Sequence, residues 1–137
     1  VRHGIRNVEY IFVDPNYGGA RNAFRLLVPR ISKAAPHMRR ALAIGRAAGF
    51  GEWKVRYVPL CHFADRLDQV SELNERALFR TEHWAPDFTN KDASGSRAAV
   101  ARRRTERCRG CRLYSVCEGL WNAYLDEYGD AELKAVK

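Results

Sequence analysis

Four cysteines carry the chemistry most legible in this chain: Cys61, Cys108, Cys111 and Cys117. The last three form a Cys-x2-Cys-x5-Cys run in which Gly110 allows the first pair to turn toward one centre. Three thiolates with a fourth from elsewhere suit a tetrahedral zinc or a four-iron cluster. A second Cys-x2-Cys pair would point to zinc. Its replacement by the single Cys117, read as opening a helix, favours iron–sulfur. Three other readings stay open: two disulfides, a redox dithiol at Cys108 and Cys111, and buried inert thiols. Cys61 is the weaker ligand candidate, since a lone cysteine after a strand is more often core.

The charge around the triplet is lopsided. The chain carries 24 basic and 16 acidic side chains for a net +8. Residues 1–66 hold 12 bases and 4 acids, while residues 67–137 hold 12 of each. Arg97, Arg102, Arg103, Arg104, Arg107, Arg109 and Arg112 face only Glu106 within their own stretch. Such a strip is a solvated helix face, a nucleic-acid grip, or positive charge set against a thiolate-bound centre.

The elements that must position these residues begin with Asn7 to Asp14. This run is rich in β-branched and aromatic residues and reads as a parallel-sheet strand covered on both faces. Pro15-Asn16-Tyr17-Gly18-Gly19 ends it. Ser32 is placed to cap a helix starting by Pro36, with Met38, Ala41, Leu42, Gly45 and Ala48 on one face and Gly49 as C-cap. Trp53 to Leu60 reads as a second strand, followed at once by Cys61. Strand, helix and strand predict a parallel pair with a right-handed crossover, which makes the fold class α/β. Leu67, Val70, Leu73, Ala77 and Leu78 predict a short helix. Thr81 to Gly95 reads as a loop, Ser96 to Glu106 as an Arg-rich helix, and Ser115 to Tyr128 as a last helix buried through Trp121, Tyr124 and Tyr128. His62 and His83 read as structural rather than ligating. Asp14 sits where parallel-strand sites are built, though turn capping serves equally well.

Composition sets the outer bounds. Hydrophobic residues make up 46% and charged residues 29% of 137 residues, which fits one globular domain with a core. Apolar stretches of about seven residues fall far short of the roughly 20 that span a bilayer, so no membrane role is expected. No export leader is legible, which points to a cytoplasmic, reducing compartment. The chain opens on Val1 and its only methionine is Met38. It therefore reads as a piece of a longer protein, whose further strands would complete the sheet.

Cys108-x2-Cys111-x5-Cys117-Glu118-Gly119-Leu120-Trp121-x2-Tyr124-x3-Tyr128-Gly129 resembles the C-terminal cluster motif of radical S-adenosylmethionine (radical SAM) enzymes with SPASM or twitch-like extensions. Pro59-Leu60-Cys61 and the segment Glu82-His83-Trp84-Ala85-Pro86-Asp87-Phe88 are similar to what precedes that motif. The resemblance implies that residues 1–64 are the last two strand–helix units of a partial (β/α)6 barrel. It makes 65–137 a mainly helical extension. It implies an auxiliary 4Fe-4S cluster on Cys108, Cys111, Cys117 and Cys61, for electron relay or substrate binding. It also places S-adenosylmethionine near Val58 and Leu60. The implied partners are the missing barrel half, a small-molecule or peptide substrate, and an electron donor protein. The family's Cys-x3-Cys-x2-Cys loop does not occur here, so this chain alone is not expected to run the radical reaction. A zinc-stabilised nucleic-acid-binding module is the alternative.

Overall fold

The fold was read from a computed structural model, which describes residues 2–73, 83–84, 89–92, 95 and 97–137. Strand β1 (Val8–Ile11) pairs in parallel with β2 (Trp53–Arg56), with Val8 opposite Trp53 and Ile11 opposite Arg56. Two short helices, α1 (Gly18–Asn22) and α2 (Phe24–Leu27), lead into α3 (Ile31–Ala47), which returns the chain to β2. The expected strand–helix–strand unit is thus present. It differs in three details. β2 ends at Arg56 rather than at Leu60, because Tyr57 adopts φ +64 and breaks the extended run. The helix starts at Ile31, five residues before Pro36, and Ser32 lies inside it without a side-chain cap. β1 is not covered on both faces, because Ile11 is 57% exposed.

Burial explains how the unit is held. Ile31, Ala35, Leu42 and Gly45 form the inward stripe of α3. Gly45 lies so close to the Trp53 ring that a Cβ there would stand 2.5 Å from it, so the helix seats directly on β2. The second edge of β2 is also occupied. Val70 forms a parallel bridge with Val55, while Gln69 Nε2 and Ser71 Oγ donate to the Trp53 and Val55 carbonyls at 3.1 Å each. Polar side chains here do what a third strand's amides would do.

Past residue 66 the helical expectations are met only in part. Leu67–Gln69 is a single 3₁₀ turn, residues 71–73 are α-helical, and Ala77 and Leu78 lie outside the described residues. Within the expected loop, β3 (His83–Trp84) pairs antiparallel with β4 (Thr89–Asn90). The Arg-rich helix is replaced by one π-type turn at Arg97–Ala101, strand β5 (Arg102–Arg103) and a 3₁₀ turn at Glu106–Cys108; Ser96 is not among the described residues. β5 pairs antiparallel with β6 (Leu120–Trp121). The last helix, α4, spans only Asn122–Tyr128. Cys117 therefore sits in a loop and opens no helix. Leu120 and Trp121 are drawn into the strand pair, and that pairing shortens the helix.

One core joins both halves. α4 buries Tyr124 against Phe12 and Phe24, at ring separations of 6.1 and 6.5 Å. Trp121, only 1% exposed, meets Tyr57 edge-on at 5.2 Å. Trp121, Tyr124 and the half-buried Tyr128 are core residues, as expected. Among the described residues no helix is long and apolar enough to cross a membrane.

Candidate metal centre

Each cysteine is delivered by a different local device. After β2 the chain turns at Tyr57, which adopts φ +64. That conformation costs a non-glycine residue about 1 kcal/mol or more. It is held because the Tyr57 amide donates to Glu72 Oε2 at 2.9 Å and the ring packs on Trp121. The chain then enters a 3₁₀ turn at Leu60–His62, which carries Cys61. The triplet comes from consecutive tight turns. Cys108 N–H donates to the Thr105 carbonyl, Cys111 N–H to Cys108 and Cys117 N–H to Leu113, at 2.9, 3.1 and 2.8 Å.

These devices bring all four cysteines to one cavity, which Pro59, Leu113, Tyr114 and Leu133 also line. All four thiols are free and half-buried, so the alternative of two disulfides is not what this structure shows. The free volume is about 20 Å³, within a concavity of about 340 Å³ counted to its open mouth. Twenty cubic ångströms hold roughly one water. Metal–sulfur bonds of about 2.3 Å are far shorter than van der Waals contacts, so a bound centre needs less free space than its atoms imply. Among the described residues no group of three or more His, Cys, Asp or Glu side chains is arranged to hold a single metal ion. The site is a lined cavity rather than a closed cage.

Backbone N–H groups point at the sulfurs. Gly119 donates to Cys117 Sγ at 3.4 Å and Val136 to Cys111 Sγ at 3.3 Å. The Lys134 amide donates to Cys61 and the Leu60 amide to Cys117. Burial nevertheless pushes the Cys61 and Cys117 thiols up, because a thiolate there loses water. The N–H donors, and for Cys117 the charge of Arg102, act in the opposite direction. Such donors also stabilise thiolates that bind metal.

The arginines do not form one open face. Arg102 is buried and reaches Glu72 at 2.9 Å and Glu118 at 3.1 Å, while stacking on Trp121 at 3.9 Å. Arg103 pairs with Asp126, Arg107 with Asp130 and Arg109 with Glu106. Arg104 donates to the Cys117 carbonyl at 2.7 Å and lies over Tyr114. The side chain of Arg97 is not among those described. Four of the seven arginines are thus paired with acids: Glu118, Asp126 and Asp130 follow the strip in the sequence, Glu106 lies within it and Glu72 precedes it.

The other candidates fall as follows. Val58 and Leu60 are 2% and 3% exposed and line a crevice of about 10 Å³ with Glu72, Arg102 and Glu118. Asp14 Oδ1 accepts the Asn16 amide at 2.9 Å, a turn-capping bond. His62 Nε2 sits 2.9 Å from the Glu132 carbonyl and is structural; the His83 side chain lies outside the description. Sequence reasoning missed the C-terminal tail, which supplies the Lys134 and Val136 amides and the Leu133 lid. Backbone donors carry no residue signature that could have revealed them. No protein-family model matches the chain, and no curated protein or solved structure matches it either.

Proposed function

We propose that Cys61, Cys108, Cys111 and Cys117 hold an auxiliary 4Fe-4S cluster in the C-terminal portion of a radical SAM enzyme. One observation carries the reading: every cysteine of the chain lines the same cavity, and backbone N–H donors aim at three of the sulfurs. The donor set is all thiol, as a cubane requires. When bound, the cluster supplies one-electron transfer or an iron site for substrate. The chain's own residues orient the thiols through tight turns, stabilise their charge through amide donors, and exclude water with Leu113 and Leu133. The parallel β1–α3–β2 unit is compatible with two units of an (β/α)6 barrel, whose remaining strands and Cys-x3-Cys-x2-Cys loop would come from elsewhere. S-adenosylmethionine near Val58 and Leu60, a small-molecule or peptide substrate, an electron donor protein and a cytoplasmic location all belong to this proposal.

Anaerobic purification with iron, sulfide and zinc analysis tests it. The expected protein is brown, with broad visible absorbance and about four irons per chain. Cys61→Ser should lose the cluster or convert it to a three-iron form. Unchanged iron and sulfide in that variant would remove Cys61 from the ligand set. A colourless protein holding one zinc would replace the cluster reading with the zinc-stabilised one.

A further inference from the structure

A second, larger cavity lies directly beside the cysteines. It has a volume of about 430 Å³ and is bounded by the first turns of α3 and the segment from Cys61 to Asp65. That volume falls within the roughly 300–1,000 Å³ of small-molecule sites. Cys61 and Lys134 line both cavities, so an occupant would sit against the Cys61 corner of the centre.

The walls are preformed. Arg39 donates to both carboxylate oxygens of Asp65, at 2.6 and 2.8 Å, and to the His62 carbonyl at 3.0 Å. The His62 ring is tethered to the Glu132 carbonyl. These bonds fix the 61–65 turn against α3, so an occupant need not order it. The charge is one-sided. Arg39 and Lys134 outnumber Asp65 on the lining, for a net +1. The positive end of the 17-residue α3 also lies here, although its Ile31 and Ser32 amides are already taken by Tyr124 and Glu132. Lys33 and Arg40 follow Ser32 and Arg39 on the exposed side of α3, and neither has a carboxylate partner among the described residues. Ser32 is held by Glu132 through both its amide and its hydroxyl, so the exposed Lys134 ammonium is the lining group left to grip a ligand.

We infer that this groove binds a small carboxylate or phosphate anion next to the cysteine centre. The site itself stands apart from the identity of the centre, but its consequence rests on the cluster proposed above. An anion at the Cys61 corner opposes adding an electron. By linkage, a tenfold loss of anion affinity on reduction lowers the midpoint potential by about 59 mV.

The test uses the purified chain titrated with inorganic phosphate and, separately, succinate, against sodium chloride at matched ionic strength. The Ser32, Lys33, Ala35 and Arg39 amide signals should shift saturably with one or both probes and not with chloride. The better probe identifies the head group. Lys134→Gln keeps the backbone N–H that Cys61 accepts but removes one charge, and should weaken binding about fivefold. Lys33→Gln removes a second positive charge, on the exposed side of α3 beside the groove, and should also weaken binding. No saturable shift, or equal binding in both variants, overturns the site. A saturated groove with an unchanged midpoint potential overturns the coupling. Saturable binding by a chain that takes up no iron would leave the groove standing and remove the cluster.

Discussion

Gly119→Ala should be the most damaging one-methyl change near the cysteines. Gly119 lies between Cys117 and β6 with φ +87, and a Cβ built there would stand 2.1 Å from the Arg103 carbonyl oxygen and 2.9 Å from the Arg104 nitrogen. Those are backbone atoms of β5 and its exit, so no side-chain rotation relieves the clash. Two costs add. Left-handed φ costs alanine about 1–2 kcal/mol. Separating the backbones disturbs the two-residue pairing of Arg102–Arg103 with Leu120–Trp121 and tilts the amide that donates to Cys117. One or two strained hydrogen bonds add about 1–3 kcal/mol. The sum of about 2–5 kcal/mol corresponds to a melting-temperature drop of roughly 10 °C or more for a domain of this size.

Gly110→Ala separates the two costs. Gly110 also has positive φ, at +72, but nothing lies within 4 Å of its added Cβ. It should lose only the conformational part, about 1–2 kcal/mol. Urea unfolding of parent and both variants, with iron content measured in parallel, gives the comparison. Equal destabilisation of the two variants would refute the close-approach argument. A Gly119→Ala protein within about 1 kcal/mol of the parent would refute the geometry itself.

Arg102→Met removes the guanidinium between Glu72 and Glu118 and should cost about 3–5 kcal/mol by urea denaturation, because buried carboxylates lose their counter-charge. Tyr124→Phe deletes the hydroxyl that accepts the Ile31 amide and donates to Glu132; about 2 kcal/mol should be lost, read as a lower thermal midpoint. Burial by itself would raise the Glu132 carboxyl, but hydrogen bonds from Ser32 and Tyr124 outweigh it and hold the group below its usual range. A depressed folded value means stability that is present above about pH 4 and lost as pH falls further, so urea midpoints should drop in that window and Glu132→Gln should flatten the drop. Asp65, lowered by Arg39, acts in the same direction but is too exposed to dominate.

The first 66 residues were legible because their physics is local. β-branched runs bounded by proline and glycine gave both strands, and the 3.6-residue apolar spacing gave α3 with Gly49 at its end, where φ is +77. The start of α3 was misjudged, because its amides are satisfied by Tyr124 and Glu132, about 100 residues away. In the second half, backbone shape follows long-range demands. Arg102 reads as one of a run of surface arginines, yet the buried Glu72 and Glu118 draw it inward and its backbone extends to pair with Trp121. Trp121 fits the apolar face of a helix equally well, and only the strand partner decides otherwise. Cysteine spacing pointed to one centre for the triplet, and all four cysteines line one cavity, while the tail that closes it left no pattern.

The donors at the sulfurs link these two halves into one unit. Cys117 accepts an amide from Leu60, which precedes Cys61; Cys61 accepts one from Lys134; Cys111 accepts one from Val136. Three of the four cysteines thus accept an amide from another segment of the chain. The Arg112 amide, which donates to the Val136 carbonyl at 2.9 Å, ties the tail back beside the triplet. The tail is held a second time through Glu132, which accepts from Ser32 and Tyr124, so seating α4 on α3 also seats the donors for Cys61 and Cys111. The cysteine cavity is thus tied to the core through the same tail that supplies its donors. That coupling is the physical reason to expect the content of the proposed cluster and global stability to move together.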